Sequence, residues 1–386
     1  MRIGIFGGAF DPVHKEHKKI IQRSRLELNL DKVIVLLSYT PPHKDCKISP
    51  FHDRLKMLDA ELSSLDYVII DKREYLNQKE PNFAFQVLKT LVSDYPDDDL
   101  IYIIGGDSMI KFHTWAHPDI ISQLMPIAVI SRKGYKGLDQ AIQNARKEYS
   151  AEIRLLTFEG EDISSSLIKA EYELERYSGL VSAEVHKIIV EAGLYSDFKD
   201  IVARLMSNIS KELFEHSKST VYFAMRFANQ LDLRYEQVFL SALLHDCAKE
   251  MQIPKEYEDI PIKITHQYLG AEVACKEYGV NDQEVLSAIR YHTTGKAKMG
   301  TLDKLIYLAD MLEPLRDFPG VERLREIVEE DFEKGFLECV KQSIKRLEKS
   351  GRDIYYLTME CYDYYNNKAF LDDCKNKKEK TCHLKS

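Results

Sequence analysis

Residues 4–17 read GIFGGAFDPVHKEH, and the fold of the first half of the chain turns on this stretch. Ile3, Ile5 and Phe6 form a short apolar run that predicts a buried strand. Gly7 and Gly8 then permit a close backbone approach that a side chain would block. His14 and His17, three residues apart, are expected to share one face of a following helix. A strand, a glycine turn and a helix start make an anion site, because unpaired N–H groups point outward there. Taken alone, the stretch would equally make a tight strand-to-helix turn carrying two surface histidines.

Working outward, IGIF, KVIVLL, YVII, IYIIGG, PIAVISR and IRLLTF are strand candidates, with helices between them, around 17–28 and 53–63 for example. Apolar strands alternating with helices predict an α/β, Rossmann-like parallel sheet covered on both faces. Ligands of such sheets bind beyond the strand C-termini. There the segments 7–9, 39–42 and 105–107 would converge on one cleft. Late in the same half, GEDISSSLIK (160–169) sets Ser164, Ser165 and Ser166 at a helix start, with Lys169 close behind. Serines there can cap the helix and can also donate to phosphate oxygens.

The pattern changes near residue 200, where strand-like runs give way to helical periodicity. The expected division is an α/β domain over 1–196, a linker over 197–202, an all-α domain over 203–370 and a disordered basic tail over 371–386. Five lysines stand against one glutamate between Cys374 and Ser386. In the second half His245 and Asp246 adjoin on an otherwise apolar helix, where ionisable groups are costly unless partnered. His216, His266, His292 and Asp310 follow the same pattern. Imidazoles and carboxylates together suit iron, manganese or zinc, and more than four ligands suggest two ions.

The 386 residues allow two ordinary domains, and 44% hydrophobic with 30% charged residues describes a globular chain. A net charge of −8 argues against broad nucleic-acid binding, which needs a basic surface. No signal peptide or membrane-spanning run is expected. Seven cysteines without regular spacing fit neither a disulfide framework nor a zinc knuckle, so a reducing cytoplasm is the expected location. The oligomeric state is left open, a homo-oligomer included.

Together GGAFDPVHKEH and ISSSLIK resemble the nucleotidyltransferase superfamily with HxGH and ISSTxxR-like signatures. TPPHK (40–44), GGDSM (105–109), TW (114–115), SRKGY (131–135) and VHKIIVEAGLY (185–195) look like the bacterial nicotinate mononucleotide adenylyltransferases. The resemblance covers residues 1–195. It implies adenylyl transfer from ATP, with Mg²⁺, to nicotinate mononucleotide, releasing pyrophosphate and forming deamido-NAD. It implies that His14, His17 and Lys169 are catalytic. Gly7, Gly8, Phe10, Asp107, Ser164, Ser165 and Ser166 would contact ATP and its phosphates. His43, Lys44, Trp115 and Arg132 would bind the mononucleotide, with Trp115 stacking on the pyridine ring. Glu16 stands where the family has glycine, Lys169 where it has arginine, and PNFAFQVL (81–88) lacks the family's hydroxyls. Another acceptor, such as nicotinamide mononucleotide or phosphopantetheine, therefore stays open, as does a domain that only senses nucleotide and regulates its neighbour.

The ordered histidines and aspartates resemble the HD-domain phosphohydrolases, and more closely the bacterial family that cleaves diadenosine tetraphosphate symmetrically to two ADP. The match runs over 203–366 and includes ALLHDCAK, AIRYHTTG, ADMLEPLRDFPG and YLTMECYDYYN. It implies that His216, His245, Asp246, His266, His292 and Asp310 hold two metal ions, with iron expected and manganese, zinc or cobalt as alternatives. Asp246 would be the central catalytic ligand. Lys249, Arg290 and Arg316 are candidates for the phosphates, and Thr293, Thr294 and Gly295 for a phosphate-contacting loop.

Overall fold

Six apolar runs in the first half become six parallel strands: β1 (Arg2–Gly8), β2 (Lys32–Leu37), β3 (Val68–Asp71), β4 (Asp99–Gly105), β5 (Ile127–Arg132) and β6 (Ile153–Gly160). They form one sheet in the order β3-β2-β1-β4-β5-β6. The computed structural model describes the chain apart from residues 40–46, 77–81, 133–136, 162 and 368–386, and apart from the side chain of Arg132. His43, Lys44 and the expected tail therefore lie outside the described residues.

The sheet is buried on both faces because its strands carry apolar residues at odd and even positions alike. Ile3 and Ile5 of β1 join Ile34, Leu36, Tyr102 and Val129 in one core. That core is closed by α4 (Ala84–Asp94), α5 (Gly106–Ile110), α6 (Pro118–Leu124) and α7 (Leu138–Tyr149). Phe6 joins Val33, Val35, Leu37, Ile103 and Ile130 on the other face. There α1 (Lys15–Leu28), α2 (Phe51–Leu62), α8 (Ser165–Glu173) and α9 (Ala183–Glu191) cover the sheet. A short helix, α3 (Arg73–Leu76), follows β3. Strand order reverses between β1 and β4, so the crevice at their C-terminal ends is where a doubly wound sheet takes its ligand. Gly8 and Gly105 end the two strands that flank it.

Met1–Asp197 is one compact unit, and Phe198 opens a second. The second is helical throughout its described residues: α10 (Lys199–Asn208), α11 (Lys211–Ala228), α12 (Tyr235–Leu244), α13 (Ile262–Lys276), α14 (Gln283–Tyr291), α15 (Thr301–Leu312), α16 (Val321–Glu330) and α17 (Phe332–Lys349). A last helical stretch spans residues 356–367. The expected linker is shorter than its predicted 197–202, because residues 199–202 are the first turn of α10. Val202 and Leu205, one turn apart, are both buried there and tie that turn into the helical unit. Among the described residues no helix is long and apolar enough to cross a membrane.

Candidate active sites

The first site forms where the chain leaves β1. Gly7 and Gly8 remain in the strand without left-handed angles, so the expected glycine turn lies further on, at Phe10 (φ 46°). A side chain at Gly8 would meet the Phe10 ring at 3.1 Å, so that glycine is needed for close approach rather than for its turn. Phe10 is buried, with only 3% exposed, so any contact with ATP would fall to its backbone. Its ring instead packs edge-on against His17, centroids 5.0 Å apart.

His14 sits outside α1 as its N-cap rather than on its first turn, and its backbone N–H donates to His17 Nδ1 at 3.2 Å. That bond places the proton of a neutral His17 on Nε2. The two imidazoles stack at 3.7 Å with planes 29° apart. Packing therefore fixes the pair before any ligand arrives.

The late serine motif docks onto this loop. Ser164 caps α8 by accepting from the Leu167 N–H at 3.1 Å. Ser165 donates to the Pro12 carbonyl at 2.9 Å, so this hydroxyl positions the loop rather than standing ready for phosphate. Ser166 lies in the first turn of α8. Lys169 donates to Asp11 Oδ2 at 2.5 Å, and Tyr195 donates to Asp11 Oδ1 at 2.8 Å. Burial pushes the Asp11 carboxyl up, but the Lys169 charge and these hydrogen bonds outweigh it and hold it below its ordinary value. Glu16 does not crowd a phosphate with its charge, since its carboxylate is buried and accepts from the Glu161 N–H at 2.9 Å. Stretches some 150 residues apart are thus latched together by three side chains, Glu16, Ser165 and Lys169.

Across the switch point Asp107 lies in the first turn of α5, directly after β4. Trp115 is half-buried, tilted against Phe112 at 5.6 Å and edge-on to Tyr102 at 6.4 Å, so it packs at the margin of the core around Ile3 and Ile5. Arg54 escapes sequence reasoning because nothing marks it as more than a helix residue. It is only 1% exposed and donates to the carbonyls of Ala9, Ser38, Tyr39 and Ser49, fixing the loop backbone around β1 and β2.

The second site draws on five helices. His216 projects from α11, His266 from α13 and Asp310 from α15, while His245 and His292 are the C-caps of α12 and α14. A helix C-terminus exposes carbonyls that lack an intrahelical partner. His245 Nδ1 bonds the Ala242 carbonyl at 2.8 Å and His292 Nδ1 bonds the Ile289 carbonyl at 2.7 Å. An Nδ1 that donates leaves Nε2 of a neutral ring as a lone pair. Those lone pairs converge in two groups. His216, His245, Asp246 and Asp310 form one, and Asp246, His266 and His292 form the other.

Asp246 belongs to both groups: Oδ2 lies 3.4 Å from His245 Nε2, and Oδ1 lies 3.3 Å from His266 Nε2 and 3.4 Å from His292 Nε2. His216 Nε2 approaches His245 Nε2 and Asp310 Oδ1, each at 3.1 Å, and His266 Nε2 approaches His292 Nε2 at 3.2 Å. Facing lone pairs at that range repel unless a proton or a metal ion lies between them. Asp246 Oδ1 is moreover fully buried and accepts no hydrogen bond, an expensive state without an ion. Burial drives the His245 imidazole down, yet Asp246 and Asp310 raise it to about 10. Burial and then the charge at His292 take His266 down to about 3. The donor set and its charge demand therefore fit a divalent metal pair, with Asp246 shared.

Two supporting residues have no role expected from the sequence. Glu313, 1% exposed, meets His216 Nδ1 at 3.1 Å and fixes the ring from behind, as carboxylates commonly do for ligand histidines. Its position three residues after Asp310 is the one signal that could have marked it. Gln267 is fully buried and accepts from the Thr293 and Thr294 N–H groups at 3.2 Å each, locking the turn after His292.

That lock changes the expected phosphate loop. Thr294 is 1% exposed and spends its hydroxyl on Gln267 and the Gly295 carbonyl, so it is structural. Gly295 adopts φ 66°, and a side chain there would strike Cys361 Sγ at 2.8 Å, so it serves packing. Thr293 alone of the three faces the site, 3.1 Å from His266 Nε2. Lys249 Nζ reaches Asp246 Oδ2 at 2.6 Å, and Arg316 reaches Asp310 Oδ1 at 2.5 Å and His216 Nε2 at 3.2 Å. Arg290 is exposed on α14 near Tyr257 and Glu272, and does not line the cavity beside the cluster.

Comparison with known proteins agrees with both halves. The cytidylyltransferase-like family profile matches residues 5–171, and the HD domain profile matches residues 213–315. A Mycoplasma pneumoniae protein named "Probable nicotinate-nucleotide adenylyltransferase/Ap4A hydrolase" is 27% identical over 369 residues, covering 92% of this chain and 97% of its own. An Endomicrobium trichonymphae protein named "Probable nicotinate-nucleotide adenylyltransferase" is 31% identical over 50% of this chain and 98% of its own. A Staphylococcus aureus "Bis(5'-nucleosyl)-tetraphosphatase, symmetrical" is 33% identical over 41% of this chain and 89% of its own. With a switch-point crevice in one half and a shared-aspartate cluster in the other, the chain belongs to the nicotinate-nucleotide adenylyltransferase family in its first domain and to the HD-domain tetraphosphatase family in its second.

Proposed function

We propose that this is a bifunctional enzyme. The first domain transfers adenylate from ATP to nicotinate mononucleotide, and the second hydrolyses diadenosine tetraphosphate to two ADP. Asp246, shared between two convergent donor groups, carries the hydrolase reading, because a bridging carboxylate is what a two-ion phosphohydrolase requires. The stacked His14–His17 pair beside the N-terminus of α8 supports the transferase reading.

In the first domain an acceptor phosphate oxygen attacks the α-phosphorus of ATP. The bond to the bridging oxygen breaks, and pyrophosphate leaves with that electron pair. No general base is needed, since the acceptor phosphate is already an anion. The domain must instead align the reactants and offset charge at the α-phosphate. His17, held by Phe10 and the His14 amide, offers Nε2–H to a nonbridging oxygen. Lys169 supplies charge near the departing pyrophosphate, with Mg²⁺ accompanying the nucleotide. Trp115 would give the pyridine a stacking edge, while Asp107 and Ser166 complete the nucleotide contacts. His43, Lys44 and Arg132 are assigned to the acceptor on family resemblance.

In the second domain His216, His245, Asp246, His266, His292 and Asp310 would hold the metal pair, with iron as the proposed metal. Bound ions there acidify water and offset phosphoryl charge. Glu313 keeps the His216 ring aimed, and Gln267 keeps the backbone after His292 in place. Water attacks a central phosphorus, the central P–O–P link opens, and its proton passes to solvent. Each half departs as ADP. At the rim of the cluster Lys249 and Arg316 hold Asp246 and Asp310.

Product analysis on the full chain tests both readings. ATP with nicotinate mononucleotide should yield pyrophosphate and dinucleotide in equal amounts, and diadenosine tetraphosphate should yield ADP alone. ATP and AMP as products would end the symmetrical assignment. ATP binding without pyrophosphate release would make the first domain a sensor.

A further inference from the structure

A cavity of about 470 Å³ opens beside the metal cluster, and His292, Thr293, Asp310, Phe318 and Arg346 are among its lining residues. Its size is that of a small-molecule site, roughly 300–1,000 Å³. The two arginines that line it are in different states. Arg316, the one expected to take phosphate, is committed to Asp310 Oδ1 at 2.5 Å and to the Asp310 carbonyl at 2.8 Å. Arg346 stands in the last turn of α17, beyond the segment that matches the HD profile. Among the described residues no carboxylate pairs with it, and its guanidinium lies 4.9 Å over the Phe318 ring.

We infer that Arg346 is the phosphate-binding arginine of a nucleoside diphosphate subsite, with the guanidinium held ready on the face of Phe318. This rests on the hydrolase reading and deepens it. A cation stacked on an aromatic face keeps its in-plane N–H donors free, and a guanidinium can grip phosphate with two of them at once. The cavity therefore offers positive charge at two separated points, the metal cluster and Arg346. The two linked phosphates of a nucleoside diphosphate moiety suit such a pair of points, one phosphate for each. Met311, Leu315 and Phe318 give the same cavity apolar surface for the nucleoside. Placing this arginine on α17 makes substrate length a property of the C-terminal helices rather than of the metal motif.

The experiment is calorimetric titration of ADP into the manganese-loaded full chain, wild type against Arg346→Gln and Arg346→Lys, alongside KM and kcat for diadenosine tetraphosphate. Loss of a charge-assisted phosphate contact should weaken ADP roughly tenfold to a hundredfold in Arg346→Gln, with partial recovery in the lysine variant. KM should rise more than kcat falls, while metal content and melting temperature stay at wild-type values. ADP affinity within about twofold of wild type in Arg346→Gln overturns the subsite. If the wild type does not cleave the tetraphosphate but the variant still loses ADP, the subsite stands and the tetraphosphatase reading falls.

Discussion

The two halves of this chain build phosphate chemistry in opposite ways. In the first, the reactive groups sit where strands end, and they are offered by one loop and one late helix start. Its buried charges are balanced within the protein: Asp11 holds Lys169, and the carboxylate of Glu16 spends itself on a backbone N–H. In the second, six side chains from five helices aim at one volume, where Asp246, Asp310 and Glu313 gather three carboxylates against the two fixed cations Lys249 and Arg316. A crevice at a sheet edge can be completed by a nucleotide that brings its own metal. A cluster inside a helical bundle needs its cations as part of the structure.

The largest expected effect tests that separation. Asp246→Ala should abolish metal-dependent hydrolysis and release bound transition metal, measured by elemental analysis, because both ligand groups lose their common member. Adenylyl transfer should continue, since none of its assigned groups lies beyond Lys169. Retained hydrolysis, or loss of both activities in a folded protein, would break the two-site picture. Next in size, His17→Ala should slow adenylyl transfer by roughly 10²–10³-fold, as loss of one preorganised charge-stabilising donor does elsewhere. Hydrolysis of diadenosine tetraphosphate by the same variant should not change.

Much of this contrast is legible in the order of the amino acids. The six strands and their parallel pairing follow from apolar runs that need cover on both faces. The metal set is legible because His245 and Asp246 stand on a helix too apolar to hold them unpartnered. What stays hidden are partnerships between distant residues. Nothing near Glu16 in sequence announces the Glu161 amide that it accepts from, so it reads only as a glutamate in a glycine's place. Likewise Arg54 binds four carbonyls that are all ordinary in sequence, and Arg316 gives no sign that Asp310 claims it. Motifs disclose which groups are present, but burial and geometry decide which of them remain available.

Two smaller effects sharpen the comparison from the first half, where Trp115, the single tryptophan, makes fluorescence a local reporter of unfolding. Glu16→Ala should lower the stability of this half by about 1–3 kcal/mol, the loss of a hydrogen bond to a charged acceptor. Urea unfolding followed by Trp115 emission reads it, and an unchanged midpoint would show that the latch is idle. The smallest effect concerns Glu74 in α3, which accepts from the Tyr39 N–H at 3.0 Å and which burial pushes up to about 7. A carboxyl raised above its unfolded value costs stability as pH climbs from about 4.5 to about 7. Glu74→Gln keeps the acceptor without the charge, so it should raise the Trp115-reported midpoint at pH 8 and have no effect at pH 4. A gain at pH 4 equal to that at pH 8 would point to packing instead of charge.

His245 and His292 end their helices and, in the proposed hydrolase, grip metal with the same rings. Helix length and ligand direction are therefore one variable. Inserting a single residue into α12 or α14 would rotate the following ligand by about 100° about the helix axis. No side-chain rotation restores both the carbonyl bond and the aim of Nε2. Length variation in this half should therefore be tolerated between helices and lethal to metal loading within those two. A scan of single-residue insertions, scored by retained metal, would trace the two helices as an uninterrupted forbidden zone.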